Sequence, residues 1–179
     1  SSDVTVLLLY LVQECGLVAF HGPMVGSHFG KTPSSLTDEV FLKVLTQPGP
    51  AGPLRLPDVK ILRQGRAEGK LVGGCLSLLC SAIGTSYDPK TDETILFLED
   101  VKELPYRIDR MLTQLKAAGK LRKVRGVLFG PMVHCRPPQG AGYDLEEIIL
   151  DVLADLEVPI LLGVPSGHGE HNVTLPLGI

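Results

Sequence analysis

The sequence predicts an α/β protein, because short apolar segments alternate with segments whose apolar residues recur at helical spacing. Strand-like apolar segments lie at 94–98, 126–129 and 159–162, and amphipathic segments lie between them. This order favours parallel pairing of the strands in one sheet. The 179 residues, 44% hydrophobic and 21% charged, are enough for one ordinary core, or for one domain and part of a second.

The N-terminal third of the chain predicts a helix, a strand and a connecting segment. A nearly all-apolar helix begins near Val4 and ends at Gly16, and residues 17–20 are typical of a short buried strand. From residue 26 to residue 57 the composition shifts to Gly, Pro, Ser and Thr, with one amphipathic piece at 38–46. This composition indicates a linker or lid between domains.

The remainder of the chain has a more regular pattern. We predict an extended segment at 58–73, a helix at 75–83 and a buried strand at 94–98. A helix begins at Pro105 and is followed by the strand at 126–129, a second amphipathic helix and the strand at 159–162. The two helices carry apolar stripes formed by Ile108, Met111, Leu112 and Leu115, and by Leu145, Ile148, Ile149, Val152, Leu153 and Leu156.

Composition argues against several classes of partner. The net charge is −3 and the only basic cluster is 120–125, so we expect no nucleic acid partner. The longest apolar run, 4–12, is too short to span a bilayer. The four cysteines lack C-x-x-C spacing, and Cys15, Cys75 and Cys80 lie in apolar surroundings typical of buried, reduced thiols. A cytoplasmic setting fits best, and the five histidines show no ligand spacing that would predict a metal site.

Polar residues follow two of the predicted strands. Glu99 and Asp100 follow the strand at 94–98, and His168 lies between two glycines after the strand at 159–162. An acid at a strand end is often a loop or capping residue, and a lone histidine is often structural. Both nevertheless belong to the carboxyl edge of one sheet, where ligands bind in such folds. Among the other histidines, we predict that His21 ends a strand, that His28 lies in the linker and that His134 lies in a loop. His171 is a weaker alternative to His168.

Ser2 lies at the start of the first predicted helix. A serine there is commonly an N-cap. The unpaired N–H groups and the positive dipole end of a helix also favour a developing oxyanion. Ser2, Glu99 and His168 therefore provide a nucleophile, an orienting acid and a base, although order along the chain is weak evidence by itself.

Several motifs, in order from one end of the chain to the other, resemble those of the LD-carboxypeptidases, serine peptidases that trim murein peptides. These motifs are Ser1-Ser2-Asp3-Val4-Thr5, His21-Gly22-Pro23-Met24, Gly73-Gly74-Cys75-Leu76-Ser77-Leu78-Leu79, Ile95-Leu96-Phe97-Leu98-Glu99-Asp100-Val101, Pro105-Tyr106-Arg107-Ile108-Asp109-Arg110-Met111-Leu112, Gly167-His168-Gly169, Asn172 and Leu175-Pro176-Leu177-Gly178.

The resemblance implies a catalytic triad of Ser2, Glu99 and His168. It also implies that the backbone N–H of Asp3 binds the oxyanion, that neither metal nor organic cofactor is needed, and that a murein peptide is the substrate. The family's nucleophile lies in a G-x-S-D turn, so Ser1 takes the variable place and the leading glycine is absent. Cys75 occupies a position where the family usually has asparagine.

The resemblance also implies that this chain is a fragment of a two-domain enzyme. Residues 1–25 would be the remnant of an N-terminal parallel-sheet domain carrying the nucleophile, 26–57 a Gly/Pro-rich linker, and 58–179 a C-terminal α/β domain carrying Glu99 and His168. We expect the 179-residue chain by itself to be inactive, because the upstream sheet and a second oxyanion donor are absent. We expect a homodimer as the assembly.

Two other functions stay open at this stage. Self-immunity proteins of the same family hydrolyse peptidyl or acyl-sulfamoyl antibiotics, and the sequence does not separate this activity from cell-wall recycling. The chain could instead be a noncatalytic binding module that keeps the family scaffold.

Overall fold

A twisted sheet lies at the centre of the computed structural model, which describes residues 3–30, 34–50, 52–54, 56, 58–138 and 142–179. Within these residues the sheet contains five strands in the order β2-β6-β5-β4-β3. The strands are β2 (Lys60–Arg63), β3 (Lys70–Cys75), β4 (Thr94–Val101), β5 (Gly126–Val133) and β6 (Ile160–Leu162). Strands β3 to β6 pair in parallel, and β2 is an antiparallel edge strand.

The helices that connect the parallel strands cover one face of the sheet. They are α3 (Leu76–Ala82), α4 (Pro105–Ala117) and α5 (Leu145–Val152). Because β3, β4, β5 and β6 follow one another in space as in sequence, connections of one hand place all three helices on the same side. Leu76, Ile108, Leu112 and Ile149 are fully buried there against sheet residues such as Phe129.

The N-terminal helix α1 (Val4–Gln13) joins the same core through Leu9, which is 1% exposed. Thr5, four residues before Leu9 in the same helix, is fully buried. Its hydroxyl accepts a hydrogen bond from the backbone N–H of Cys75 at 3.1 Å. This bond attaches the first turn of α1 to the carboxyl end of β3. Thr5 therefore anchors the helix beside the edge of the sheet where candidate site residues collect.

The opposite face of the sheet carries a second, smaller core. Helix α2 (Ser35–Thr46) contributes Val40, which packs with Phe97 of β4 and with Val173 and Leu175. Two short strands, β1 (Ala19–His21) and β7 (Leu175–Leu177), pair antiparallel beside this core. A π-helical turn, Val25–Phe29, lies between β1 and α2.

The predicted α/β class with a parallel-dominated sheet is confirmed. The segment predicted to be extended at 58–73 contains β2 and most of β3, which are separate strands, and β4 and β5 continue beyond their predicted ends. The first helix ends at Gln13, three residues before its predicted end at Gly16. Gly16 lies after the helix and has a positive φ. The amphipathic piece of the predicted linker forms α2, whereas the domain boundaries at 25 and 57 stay a prediction. Across the described residues, none of the helices has the length and apolar character needed to cross a membrane.

Candidate active site

Glu99 lies near the end of β4, where the pairing with β5 becomes irregular. Leu98 pairs with Phe129, but Asp100 pairs with Met132, so β5 has an additional residue opposite Glu99. Gly130 lies in this irregularity, and a Cβ there would come within 2.8 Å of the Glu99 Cβ. The bulge and the glycine therefore make room for a carboxylate that is completely buried.

His168 contacts this carboxylate directly. Its ring Nδ1 lies 2.6 Å from Oε2 of Glu99, and its backbone N–H donates to the same oxygen at 3.2 Å. The glutamate side chain is 0% exposed, whereas the histidine side chain is 23% exposed. The carboxylate holds the hydrogen on Nδ1, so Nε2 is the ring nitrogen that can accept a proton from a group arriving from solvent.

The segment after β6 that carries His168 is held by short polar contacts. The backbone N–H of Gly167 donates to Oδ1 of Asn172 at 3.0 Å, which closes the turn around His168. The backbone N–H of Asn172 donates to the Thr37 hydroxyl of α2 at 3.0 Å. Gly167 has a φ of +122°, and a Cβ there would lie 2.5 Å from the Glu99 carboxylate. A glycine is therefore required for the approach of this backbone to Glu99.

The environment of Glu99 favours its ionised form. Burial pushes the pKa of this carboxyl upward, but the contacts with His21 and His168 outweigh burial and hold the pKa below its ordinary value. The carboxylate is therefore charged at neutral pH, and it can stabilise an imidazolium that forms on His168 during proton transfer.

Asp100, the neighbouring acid, has a different contact. Its Oδ2 accepts the backbone N–H of Ser77 at 2.9 Å, in the first turn of α3. The helix has no capping side chain of its own at Cys75, so Asp100 supplies the acceptor across the strand. This acid stabilises a helix terminus, which matches the capping alternative considered for an acid at a strand end.

His21 is the residue of this site whose role the sequence pattern did not indicate. It does end a short strand, as predicted, but it is 1% exposed and its Nε2 lies 3.8 Å from Oε1 of Glu99. Its Nδ1 lies 3.2 Å from the hydroxyl of the buried Ser166. The signals available were a histidine directly after an apolar segment and the resemblance of His21-Gly22-Pro23-Met24 to a family motif. Neither indicates what the imidazole contacts, because the contacts depend on pairing between β1 and β7.

The predicted nucleophile Ser2 lies outside the described residues, so its role stays a prediction. Asp3, the predicted oxyanion residue, is the N-cap of α1 and its side chain makes no capping hydrogen bond. The first turn of α1 reaches the site through Thr5 and Cys75, and Cys75 pairs in register with Glu99. The contacts thus bring Glu99 and His168 together and hold the start of α1 at the same edge of the sheet.

The remaining predictions for histidine and cysteine have mixed outcomes. His134 lies exposed just after β5, and His28 lies in the π-helical turn with Nε2 3.2 Å from Nδ2 of Asn172. Cys75 is buried as expected, and its thiol lies 3.2 Å from the Ser77 hydroxyl. The expectation for Cys15 is wrong, because it is exposed in the turn after α1. No cluster of three or more metal-ligating side chains is found in the part of the chain that the structure describes.

A buried carboxylate bonded to a partly exposed histidine, at the carboxyl edge of a parallel sheet, can orient the imidazole and support proton transfer, which is the chemistry that an acid and a base provide in hydrolase sites. Residues 68–179 match the family model described as the LD-carboxypeptidase C-terminal domain. A probable murein peptide carboxypeptidase of Bacillus subtilis (strain 168) is 37% identical over 179 residues, which is 99% of this chain and 56% of that protein. The chain therefore belongs to the LD-carboxypeptidase family.

Solved structures agree with this assignment. The crystal structure of muramoyltetrapeptide carboxypeptidase from Oxalobacter formigenes superposes with a TM-score of 0.82 at 32% identity, covering 99% of this chain and 60% of that one. The microcin C7 self-immunity protein MccF in complex with aspartyl sulfamoyl adenosine superposes with a TM-score of 0.83 at 28% identity, covering 99% and 61%. The chain thus spans little more than half the length of the relatives that it matches.

Proposed function

We propose that this chain supplies the acid and base of a serine-type LD-carboxypeptidase, which removes a C-terminal D-amino acid from murein peptides during cytoplasmic cell-wall recycling. The observation that carries the proposal is the 2.6 Å contact between Nδ1 of His168 and the fully buried carboxylate of Glu99. Further support comes from the relatives named murein peptide carboxypeptidase and muramoyltetrapeptide carboxypeptidase.

In the proposed mechanism the Ser2 hydroxyl attacks the carbonyl of the L-centre that precedes the terminal D-residue. His168 Nε2 takes the hydroxyl proton and returns it to the leaving amine, and Glu99 keeps the ring in the required tautomer. The backbone N–H of Asp3, at the positive end of α1, stabilises the oxyanion. Water then hydrolyses the acyl-enzyme, with His168 acting as base again.

The test is release of the terminal D-amino acid from a murein tetrapeptide by the protein that carries this sequence. We expect His168→Asn, Glu99→Gln and Ser2→Ala each to lower kcat by at least about 10³-fold, because each removes one member of a cooperating set. His134→Asn is the matched control: it makes the same change at an exposed turn with φ of 57°, which asparagine tolerates, and it should keep wild-type kcat. Wild-type turnover by His168→Asn would overturn the mechanism.

A second candidate is hydrolysis of acyl-sulfamoyl nucleotides, which is favoured by the similarity to MccF bound to aspartyl sulfamoyl adenosine. Comparing kcat/KM for that compound and for the tetrapeptide distinguishes the two activities. A noncatalytic binding role is tested by a fluorophosphonate probe, which should label the wild-type protein and not Ser2→Ala. Absence of labelling, together with absence of hydrolysis, would favour the binding role.

The proposal includes a homodimer. Its support concerns the 179-residue chain, in which Val4, Leu7 and Tyr10 of α1 are 43%, 55% and 42% exposed at a spacing of three residues; such a row of exposed apolar side chains favours association. Sedimentation equilibrium measures the mass directly, and a monomer at micromolar concentration would contradict this part of the proposal.

A further inference from the structure

His21 is a buried histidine with no part in the mechanism described above. It ends β1, and its ring packs edge-on against Phe97 with the ring centroids 5.1 Å apart. Antiparallel pairing with Leu175 of β7 holds its backbone beside the segment that carries His168. The ring therefore has a fixed orientation, with Nδ1 toward Ser166 and Nε2 toward Glu99.

The atoms between His21 and Glu99 have few other partners. Among the described residues, neither Nε2 of His21 nor Oε1 of Glu99 has a hydrogen bond, although both are buried. They lie 3.8 Å apart, which is an ion-pair distance and longer than a hydrogen bond. A buried carboxylate oxygen without a partner is costly, so the group facing it must supply positive charge or a hydrogen.

The Ser166 hydroxyl limits where the ring hydrogen of His21 can be. This hydroxyl has one hydrogen and two neighbours, the Val173 carbonyl at 2.9 Å and His21 Nδ1 at 3.2 Å. If the hydrogen goes to Val173, Nδ1 must carry its own hydrogen, and a neutral ring would then turn a lone pair toward the carboxylate. In that arrangement, only a ring with a second hydrogen, on Nε2, presents an N–H to the carboxylate and avoids the repulsion.

If the hydroxyl hydrogen goes to Nδ1 instead, the hydrogen of the neutral ring is on Nε2. Both arrangements that satisfy Ser166 and the carboxylate therefore place an N–H on Nε2, directed at Oε1 of Glu99. The same conclusion holds for the neutral and for the charged ring.

We propose that His21 is a positioning residue for the Glu99 and His168 pair: its Nε2–H holds Oε1 of the carboxylate, so that Oε2 stays directed at His168. The proposal deepens the function proposed above and rests on it. His21 acts through Glu99 and does not touch the reacting atoms. The carboxylate thus lies between two imidazoles, of which one is exposed for proton transfer and the other is buried.

The electrostatics of the site agree with this arrangement. The titratable groups around Glu99 are His21 from β1, His168 after β6 and Cys75 from the adjacent β3. Although burial raises the pKa of the Glu99 carboxyl, contacts with both histidines lower it further than burial raises it. Removing the Nε2–H of His21 should therefore raise the pKa of Glu99.

The test compares two substitutions of His21 that differ in which ring nitrogen they replace. The amide nitrogen of glutamine reaches the position of Nε2, and that of asparagine reaches the position of Nδ1. We expect His21→Asn to raise the pKa of Glu99, measured from the carboxyl ¹³C resonance during a pH titration, and His21→Gln to keep it nearer the wild-type value. On the tetrapeptide, His21→Asn should lower kcat by about 10- to 100-fold with KM within about twofold, as is typical of residues that orient a functional group. His21→Gln should recover most of that loss.

The two readouts separate the possible failures. If the wild-type protein does not hydrolyse the tetrapeptide but His21→Asn still raises the pKa of Glu99, the proposed substrate is wrong and the contact between His21 and Glu99 stands. If His21→Asn leaves both the pKa of Glu99 and kcat unchanged, the positioning role is overturned. Equal losses in His21→Asn and His21→Gln, in proportion to their losses of thermal stability, would also overturn it, because they would indicate packing alone.

Discussion

Glu99 and Asp100 are neighbours in β4, and the alternation of side chains along a strand directs them to opposite faces of the sheet. Leu98 and Asp100 point toward the helices, where Asp100 binds the first turn of α3. Phe97 and Glu99 point to the other face, where His21 and His168 lie. Two adjacent acids of similar chemistry thus have different roles, because successive side chains of a strand point to opposite faces of the sheet.

The charge state of Glu99 should be visible in the acid stability of the protein. Its pKa in the folded state is below the ordinary value of 4.5, so the folded contacts contribute stability that is fully present above that value. The contribution is lost as pH falls below 4.5 and through the folded-state pKa, because the unfolded chain binds a proton first. We expect the difference in urea midpoint between wild type and Glu99→Gln to shrink between pH 6 and about pH 3.

Glu68→Gln is the control for this titration. Glu68 pairs with Arg66 at the surface, where both side chains are at least 80% exposed, and exposed pairs contribute little to stability. Its urea midpoint should follow that of the wild type at every pH. A difference for Glu99→Gln that stays constant down to pH 3 would mean that the histidine contacts do not stabilise the charged carboxylate.

At the scale of elements, the site depends on how closely the segment after β6 approaches β4. Gly167 is the point of closest approach, since a Cβ there would lie 2.5 Å from Oε2 of Glu99. We expect Gly167→Ala to displace the carboxylate from His168 and to lower kcat by about 100-fold, the effect that small displacements of catalytic groups produce. The measurements are kcat on the tetrapeptide and the urea midpoint.

Gly84 offers a control for the backbone strain in this substitution. It also has a positive φ, +77°, but a Cβ there would meet nothing within 4 Å. Gly84→Ala should therefore cost about 1 kcal/mol of stability and leave kcat unchanged. If Gly84→Ala reduces kcat as much as Gly167→Ala, general destabilisation rather than displacement of Glu99 explains the loss.

The elements differ in how well their sequence predicts them. The strands at 94–98 and 126–129 and the helix at Pro105 could be predicted because periodicity is a local property of the chain. Strand β1 was predicted only as an apolar segment at 17–20, and β7 was not predicted. Both strands have three residues, too few for a readable alternation, and they form by pairing with each other across the chain. The β4–β5 bulge depends on packing around Glu99 and leaves no local pattern.

The candidate site likewise has one part that could be predicted from the sequence and one part that could not. The approach of Glu99 and His168 could be predicted because parallel strands bring their carboxyl ends to one edge. The contact of His21 with Glu99 could not, since it depends on the pairing of β1 with β7. The motif resemblance identified His21-Gly22-Pro23 as a family feature without indicating what the imidazole contacts.

At the scale of the whole molecule, the site lies at the edge of a sheet that has a core on each face. Helices α3, α4 and α5 pack on one face, and α2 packs on the other through Val40. The Asn172 backbone N–H joins α2 to the turn that holds His168, through the Thr37 hydroxyl. Opening of either core would therefore disturb the contact between Glu99 and His168.

The four cysteines provide a probe of such opening, because they differ in exposure. Cys15 is exposed, whereas Cys75, Cys80 and Cys135 are 2%, 6% and 0% exposed. Burial raises the pKa of Cys75 to about 11 and that of Cys80 to about 12, so at pH 8 only about one Cys75 thiol in a thousand is ionised. With a disulfide reagent at pH 8, we expect one thiol to react rapidly and three at least about 100-fold more slowly.

Cys15→Ser is the matched variant for this experiment. It should abolish the rapid phase and leave the three slow thiols unchanged, since Cys15 lies outside both cores. Urea should bring the slow thiols to the rate of the exposed one at the same concentration at which circular dichroism reports unfolding, because Cys80 and Cys135 are part of the helix-side core. Rapid reaction of Cys75 in the native protein would contradict this arrangement, since Cys75 pairs with Glu99 and its exposure would mean that the site edge opens without unfolding.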